Sequence, residues 1–236
     1  MRKTLPALVV LVLTFSGVNA AWEPLTGDPV SLDSLIDEGL TVGDKIFCEF
    51  DLFGTAFGGA IAPDLSSIHV QGGWDDATGD YGLRFLMSWN AASGQIVNTN
   101  LSFTVAIIDD PQWEHWQIKD VGLMLSGASA TETGVVSASE TVWDGPVPSG
   151  EVLASLSASK QELDGGTQLT DWAEFDPVKA IWVRKDISIT GGAGLDGSAH
   201  LSEMFQFFSQ VPEPTSMTLL ALGALGLLKA RRNRHC

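Results

Sequence analysis

The sequence predicts an all-β protein: a single antiparallel β-sandwich, jelly-roll-like or Greek-key, held between two segments that are not part of its core. Three observations lead there. Beyond Gly43, apolar residues recur with period two in short runs, the mark of strands with one buried face. Clusters of Gly, Asp, Pro and Ser separate these runs and supply turns. No helical pattern of ten to fifteen residues lies between them, as βαβ units would require.

From Trp22 to Gly43 the chain mixes Pro, Gly and acidic residues, and Ser31 to Ile36 predicts one helical turn capped by Ser31. Strands are then expected at Lys45 to Leu52 and at Ser67 to Gln71. In Tyr81 to Trp89, Tyr81, Leu83, Phe85, Met87 and Trp89 share a face, with Gly82, Arg84 and Ser88 opposite. In Asn98 to Ile108 the shared face is Leu101, Phe103, Val105 and Ile107. Weaker patterns mark Val121 to Ser126, Gly134 to Val142 and Glu151 to Ser157, and strong ones mark Val178 to Thr190 and Ser198 to Gln210. The Ser/Ala/Gly/Thr-rich stretch 126–139 reads as small-residue strand or loop, and no internal repeat is apparent.

Both ends read as processing segments. Arg2 and Lys3, the apolar run from Leu5 to Phe15 and the small residues before Ala20 give a secretory signal peptide over 1–20. Cleavage is expected between Ala20 and Ala21. At the other end stand Val211-Pro212-Glu213-Pro214, an apolar run from Thr215 to Leu228, and a basic end with Lys229, Arg231, Arg232 and Arg234. The prolines bias the chain towards extended conformations, so no helix runs in from the body. The apolar run is short for a membrane span, but long basic side chains snorkel and stay on the cytoplasmic side. The expected organisation is therefore a signal at 1–20, a sandwich at 21–210 and a sorting segment at 211–236, with its membrane helix at 215–230 and its basic end at 229–234.

The charge balance bounds the partners. The chain has 13 basic and 29 acidic residues. Six of the basic residues and one acidic residue, Glu213, lie in the two ends. The stretch 21–210 is left with 7 basic and 28 acidic residues, a balance that repels nucleic acid and anionic lipid. Of the two cysteines, Cys236 lies in the tail and Cys48 within an apolar run, where a buried, inert thiol is expected.

The tail resembles the PEP-CTERM sorting segment of bacterial surface proteins, also labelled the ice-binding protein C-terminal motif. Val211-Pro212-Glu213-Pro214 matches its motif, and Arg231-Arg232 matches its basic end. The resemblance implies recognition and cleavage by exosortase after Sec-type export. It implies a precursor held in the inner membrane, then delivery to the envelope or extracellular matrix in bacteria that make exopolysaccharide. A softer resemblance to the last hairpin of such proteins covers Val183 to Ile189 and the strand ending Phe207-Phe208-Ser209-Gln210. It bears on fold alone.

For the body the sequence offers no catalytic signature and no cofactor, and the expectation is a non-enzymatic protein. There is no P-loop, dinucleotide fingerprint or Gly-x-Ser-x-Gly elbow. No local pattern selects two of the many carboxylates as a glycosidase pair, so a secreted hydrolase ranks third. The loop Asp75-Asp76-Ala77-Thr78-Gly79-Asp80 offers Asp75, Asp76 and Asp80 as a weak calcium candidate, but it fits no EF-hand spacing and reads better as a solvated hairpin turn. His115, between Trp113 and Trp116, reads as a polar loop residue. The alternative function is glycan binding by exposed tryptophans. Trp74, Trp113 and Trp116 stand near polar turns and are the candidates, whereas Trp89 and Trp182 read as core. No flat, repeated Thr-rich face supports ice binding.

Overall fold

The computed structural model describes residues 22–145, 150–163, 166–193 and 196–213. The expected signal peptide, its cleavage position at Ala20 and Ala21, Pro214, the membrane helix and the basic residues Lys229, Arg231, Arg232 and Arg234 lie outside the described residues. In chain order the strands begin with β1 (Trp22–Pro24), β2 (Val30–Ser31), β3 (Leu40–Val42), β4 (Lys45–Phe57) and β5 (His69–Asp75). They continue with β6 (Tyr81–Ala92), β7 (Ile96–Ile107), β8 (Trp116–Leu125), β9 (Ala128–Thr131) and β10 (Val135–Asp144). The last are β11 (Val152–Gln161), β12 (Thr170–Val178), β13 (Ala180–Thr190), β14 (Ser198–Phe208) and β15 (Gln210–Pro212).

These form two antiparallel sheets. The first has the order β1-β5-β6-β14-β8-β12, with β2 on β5, β9 on β14 and β15 on β8. The second has the order β11-β10-β13-β7-β4-β3. The helical turn expected near Ser31 is present as a 3-10 turn, Leu32–Ser34, leading into α1 (Leu35–Glu38). Ser31 does not cap it through its side chain. The Ser34 hydroxyl instead donates to the Ser31 carbonyl at 2.6 Å.

The two sheets face each other through the predicted alternating positions. Leu83, Phe85, Met87 and Trp89 of β6 are buried, as are Leu101, Phe103 and Val105 of β7. Ring contacts cross the interface: Phe85 meets Phe103 at 6.0 Å and Phe47 meets Phe208 at 5.8 Å. Trp182 is half-buried rather than core and packs on Trp143 at 5.0 Å.

Several boundaries differ from the sequence pattern for identifiable reasons. β4 runs past Leu52 to Phe57 because a bulge between Cys48 and Asp51, with Glu49 at φ 56°, resets its alternation. Cys48 is therefore half-buried rather than fully buried, and burial followed by the charge of Glu49 raises its thiol pKa. The stretch Val178 to Thr190 divides at Lys179, where the chain passes from β12 in one sheet to β13 in the other. β12 has an acidic sequence containing Pro177 and lies at a sheet edge, where proline costs no ladder bond. The last strand breaks at Ser209, whose N–H and hydroxyl both donate to the buried carboxylate of Asp120.

At the centre of the sandwich lies an ionic triad. Glu140 of β10 and Lys185 of β13 are cross-strand partners, and Gln206 of β14 reaches them from the opposite sheet. All three are at most 1% exposed. The Lys185 ammonium donates to Glu140 Oε2 and to Gln206 Oε1, and Gln206 Nε2 donates to Glu140 Oε1 at 3.0 Å. Burial raises the Glu140 pKa and lowers that of Lys185, while their mutual attraction opposes both shifts.

Removing one charge from such a pair strands the other in the interior. Glu140→Gln is expected to cost about 3–5 kcal/mol of unfolding free energy, read from urea denaturation of the sandwich body, residues 21–210. Replacing all three together (Glu140→Leu, Lys185→Met, Gln206→Leu) is expected to keep or raise stability, since no buried charge remains. A triple variant as unstable as Glu140→Gln would contradict the assignment.

Candidate functional site

Strand alternation that buries one face of the second sheet turns its other face to solvent. The pairing sets outward residues of four strands in rows: Phe53, Asn100, Asp186 and Ser139 in one, and Thr55, Asn98, Ser188 and Ser137 in the next. Together they line an open trough of about 440 Å³. On β4 it is lined by Phe53 and Thr55, with Phe57 beyond it. Phe53 is 69% exposed, and Phe57, four residues on along the same face, is 59% exposed. β3 pairs with the edge of β4 only at Lys45 to Phe47.

The floor is polar and pre-bonded. Asn100 Nδ2 donates to Asp186 Oδ1 at 2.5 Å, and the Arg184 guanidinium donates to Asp186 Oδ2 at 3.1 Å. The Ser188 hydroxyl donates to Asn98 Oδ1 at 2.8 Å. Asp186 is the carboxylate among the lining residues, and its charge is matched by Arg184. The trough thus presents hydroxyls and amides with no net charge, repeated about every 4.8 Å across the strands. That spacing suits a chain of hydroxyl-bearing rings. A second facing carboxylate, which glycoside hydrolysis needs, is not among the lining residues.

The residues singled out in the sequence fall elsewhere. Trp74 is half-buried on β5, its Nε1 3.3 Å from Glu23 Oε2. Trp113 and Trp116 are half-buried and meet edge to face, with centroids 6.2 Å apart at 63°. β5 and β8 are separated by β6 and β14, so the three rings form no common platform. The tryptophan that is most open is Trp172, 45% exposed on β12. It lies flat on Phe207, at 5.7 Å and 15°, over Gly122, where a Cβ would meet its ring at 2.4 Å. Phe207 stacks on Phe205 in turn, and Trp22 closes over both. These rings seal the outer face of the first sheet.

The acidic loop is a hairpin turn. Asp75 is buried and accepts the Ala77 N–H at 2.9 Å, and its own N–H donates to the Asp80 carbonyl at 3.0 Å. Asp76 is exposed. Burial raises the Asp80 pKa, Asp120 and Asp75 add to the rise, and Thr78 and Lys45 oppose it. Among the described residues no three His, Cys, Asp or Glu side chains are placed to hold a metal ion. Exposed His115 has Nε2 3.1 Å from Glu114 Oε1.

The sorting motif begins inside the fold. Gln210 to Pro212 pair with Ile118 to Trp116 of β8. The Glu213 N–H donates to the His115 carbonyl at 2.5 Å, and its carboxylate meets Lys179 Nζ at 2.8 Å. Just before the motif, buried Lys45 donates to Asp44 and to Gln210 Oε1, each at 2.7 Å. Among the described residues no helix is long and apolar enough to cross a membrane.

No curated protein is a significant match to the chain. Among solved structures, it is similar to the enzymatically active domain of bacteriophage CBA120 tailspike protein 4, at 18% identity and TM-score 0.26, over 67% of this chain and 19% of that one. The chain thus spans about a fifth of the tailspike's length. It is similar to a family 11 carbohydrate-binding module from Clostridium thermocellum in complex with a β-1,3-1,4-mixed-linked tetrasaccharide, at 10% identity and TM-score 0.23, over 65% and 87% of the two chains. The family 11 module of a cellulosomal cellulase from the same organism matches at 13% identity and TM-score 0.19, over 75% and 98%. Likenesses this distant carry no argument about binding, and the sandwich stands on its own strand pairing. The tail is another matter, because the family model of the PEP-CTERM protein-sorting motif matches residues 210–234. The chain carries a PEP-CTERM protein-sorting motif at its C-terminal end.

Proposed function

We propose that this is an exported, non-enzymatic surface protein, sorted and cleaved by exosortase, whose body binds an uncharged polysaccharide of the envelope or matrix. The observation that carries the sorting half is the motif match over residues 210–234. The membrane-held precursor, the Sec-type export and the exopolysaccharide association follow from the same resemblance.

The trough supports the binding half. Its polar groups are those that hydrogen-bond sugar hydroxyls, and Phe53 with Phe57 offers rings for the apolar faces of pyranoses. Charge selects within the class. A body with 28 acidic and 7 basic residues repels anionic polymers, and Arg184, beside the trough, is already matched to Asp186. The glycan role passes from Trp74, Trp113 and Trp116 to these strand residues. The hydrolase reading has no paired carboxylates there to support it.

For the sorting half, Pro212→Ala with Pro214→Ala in a native exosortase-bearing host is expected to leave the tail uncleaved, seen as a larger species on a gel of the inner membrane fraction. Normal processing and release would sink that half. For the binding half, the purified body is expected to be retained by neutral β-glucans in affinity electrophoresis, with little dependence on salt. Phe53→Ala should weaken retention about tenfold, as for a central aromatic contact, whereas Trp172→Ala should not. A body that ignores every neutral glycan on an array, or that binds equally without Phe53, would remove this reading.

A further inference from the structure

The motif that directs sorting is read by a membrane protease, and a protease takes its substrate as an extended strand with free backbone and side chains. Here those groups are engaged by the body. Val211 and Pro212 are strand-paired to Gln117 and Trp116, the Glu213 N–H is given to the His115 carbonyl, and the Glu213 carboxylate is ion-paired with Lys179. Lys179 is itself tied in place. It occupies the single-residue crossing between β12 and β13, and its ammonium also donates to the carbonyls of Glu114 and Trp116.

We infer that the folded body sequesters Val211, Pro212 and Glu213, the first three residues of its own sorting motif, so that processing requires β15 to peel away from β8. This rests on the reading of the tail as an exosortase substrate. The anchoring is graded along the chain, and the grading favours a local release. Up to Gln210 the chain is fixed by buried and part-buried bonds: Asp120 accepts both donors of Ser209, and buried Lys45 donates to Gln210 Oε1. Beyond Gln210 the hold includes the last two residues of β15, the Glu213 N–H bond to His115 and an ion pair whose side chains are 44% and 28% exposed. Short, exposed segments of this kind open without global unfolding. The protease then sees a motif whose apparent affinity is reduced by the fraction of time it is closed. The body acts on its own delivery: a folded chain presents the motif rarely, and whatever loosens the crossing at Lys179 presents it more.

The test uses the full-length chain in an exosortase-bearing host, followed by pulse-chase. Val211→Cys with Gln117→Cys, placed on directly paired positions, in a Cys48→Ser and Cys236→Ser background, joins β15 to β8 by a disulfide. Cross-linked protein is expected to be cleaved at least tenfold more slowly, with reductant restoring the rate of the Val211→Cys single variant. Lys179→Gln, which removes the charge but keeps a donor, should speed cleavage about two- to fivefold, the leverage of an exposed ion pair, and Lys179→Arg should not. Cleavage of the cross-linked chain at the uncross-linked rate, or a Lys179→Gln chain cleaved no faster, overturns the inference. Pro212→Ala with Pro214→Ala separates this from the reading beneath it. If that variant stays uncleaved while the cross-linked chain is processed, sorting stands and sequestration falls; if it is cleaved normally, both fall.

Discussion

The buried contact among Glu140, Lys185 and Gln206 constrains this sandwich more than any apolar contact does. Two of its members are paired across neighbouring strands and the third crosses the gap between the sheets, so it fixes register in one direction and sheet spacing in the other. Apolar positions tolerate substitution if volume is conserved, but a buried charge must keep its partner. A one-residue slip of β13 would turn Lys185 outward and bring Arg184 and Asp186 into the core. The outer face follows from the inner one. Because Lys185 points in, Arg184 and Asp186 point out, and because β13 pairs with β7 in this register, Asp186 meets Asn100. The floor of the trough is the reverse side of the constraint in the core.

Much of this was legible in the sequence, with a clear limit. The alternation of Tyr81 to Trp89 and of Asn98 to Ile108 was strong enough to assign both the strands and their buried faces. Lys185 falls in alternation with the inward Val183, Ile187 and Ile189, yet a lone sequence does not show which acid meets it forty-five residues away. The bulge at Cys48 to Asp51 was hidden, since no glycine marks it, and it decides that Phe53 and Phe57 look outward. An exposed phenylalanine on a strand reads as core until the register is known. Tryptophans near polar turns suggested Trp74, Trp113 and Trp116 for the opposite reason: turn residues look exposed in sequence, but here Trp113 and Trp116 pack on each other and Trp74 lies on β5 beside Glu23 of β1.

The tail shows a similar limit. Sequence puts the domain boundary after Gln210, with the motif beginning at Val211, and proline argues for extended chain and against a helix running in from the body. Pro212 nonetheless ends a strand, because a terminal position loses no donor that the ladder requires. Pairing there depends on Ser209, whose bonds to Asp120 let β14 stop and β15 resume on the same neighbour. Asp120 lies next to Lys119, and the Lys119 N–H donates to the Ser209 carbonyl at 3.1 Å. Two adjacent residues of β8 therefore hold the chain just before the motif.

The two sheets divide the labour through what covers their outer faces. On the first, Trp22 and Trp172 close over Phe205 and Phe207, with glycine beneath each tryptophan where a Cβ would strike the ring. That face is sealed, and its sheet carries β15, where the sorting motif begins. On the second, nothing among the described residues covers the rows between β4 and β10, and they hold serine, threonine and asparagine where large side chains would fill the space. A sheet that only had to be soluble could meet that need with charge, as the rest of this acidic body does. Here the surface is instead nearly neutral, partly pre-bonded and edged with exposed phenylalanines, which are costly in water unless a ligand covers them. The economy of the fold is easiest to understand if one sheet holds the tail until sorting and the other is kept open for the matrix.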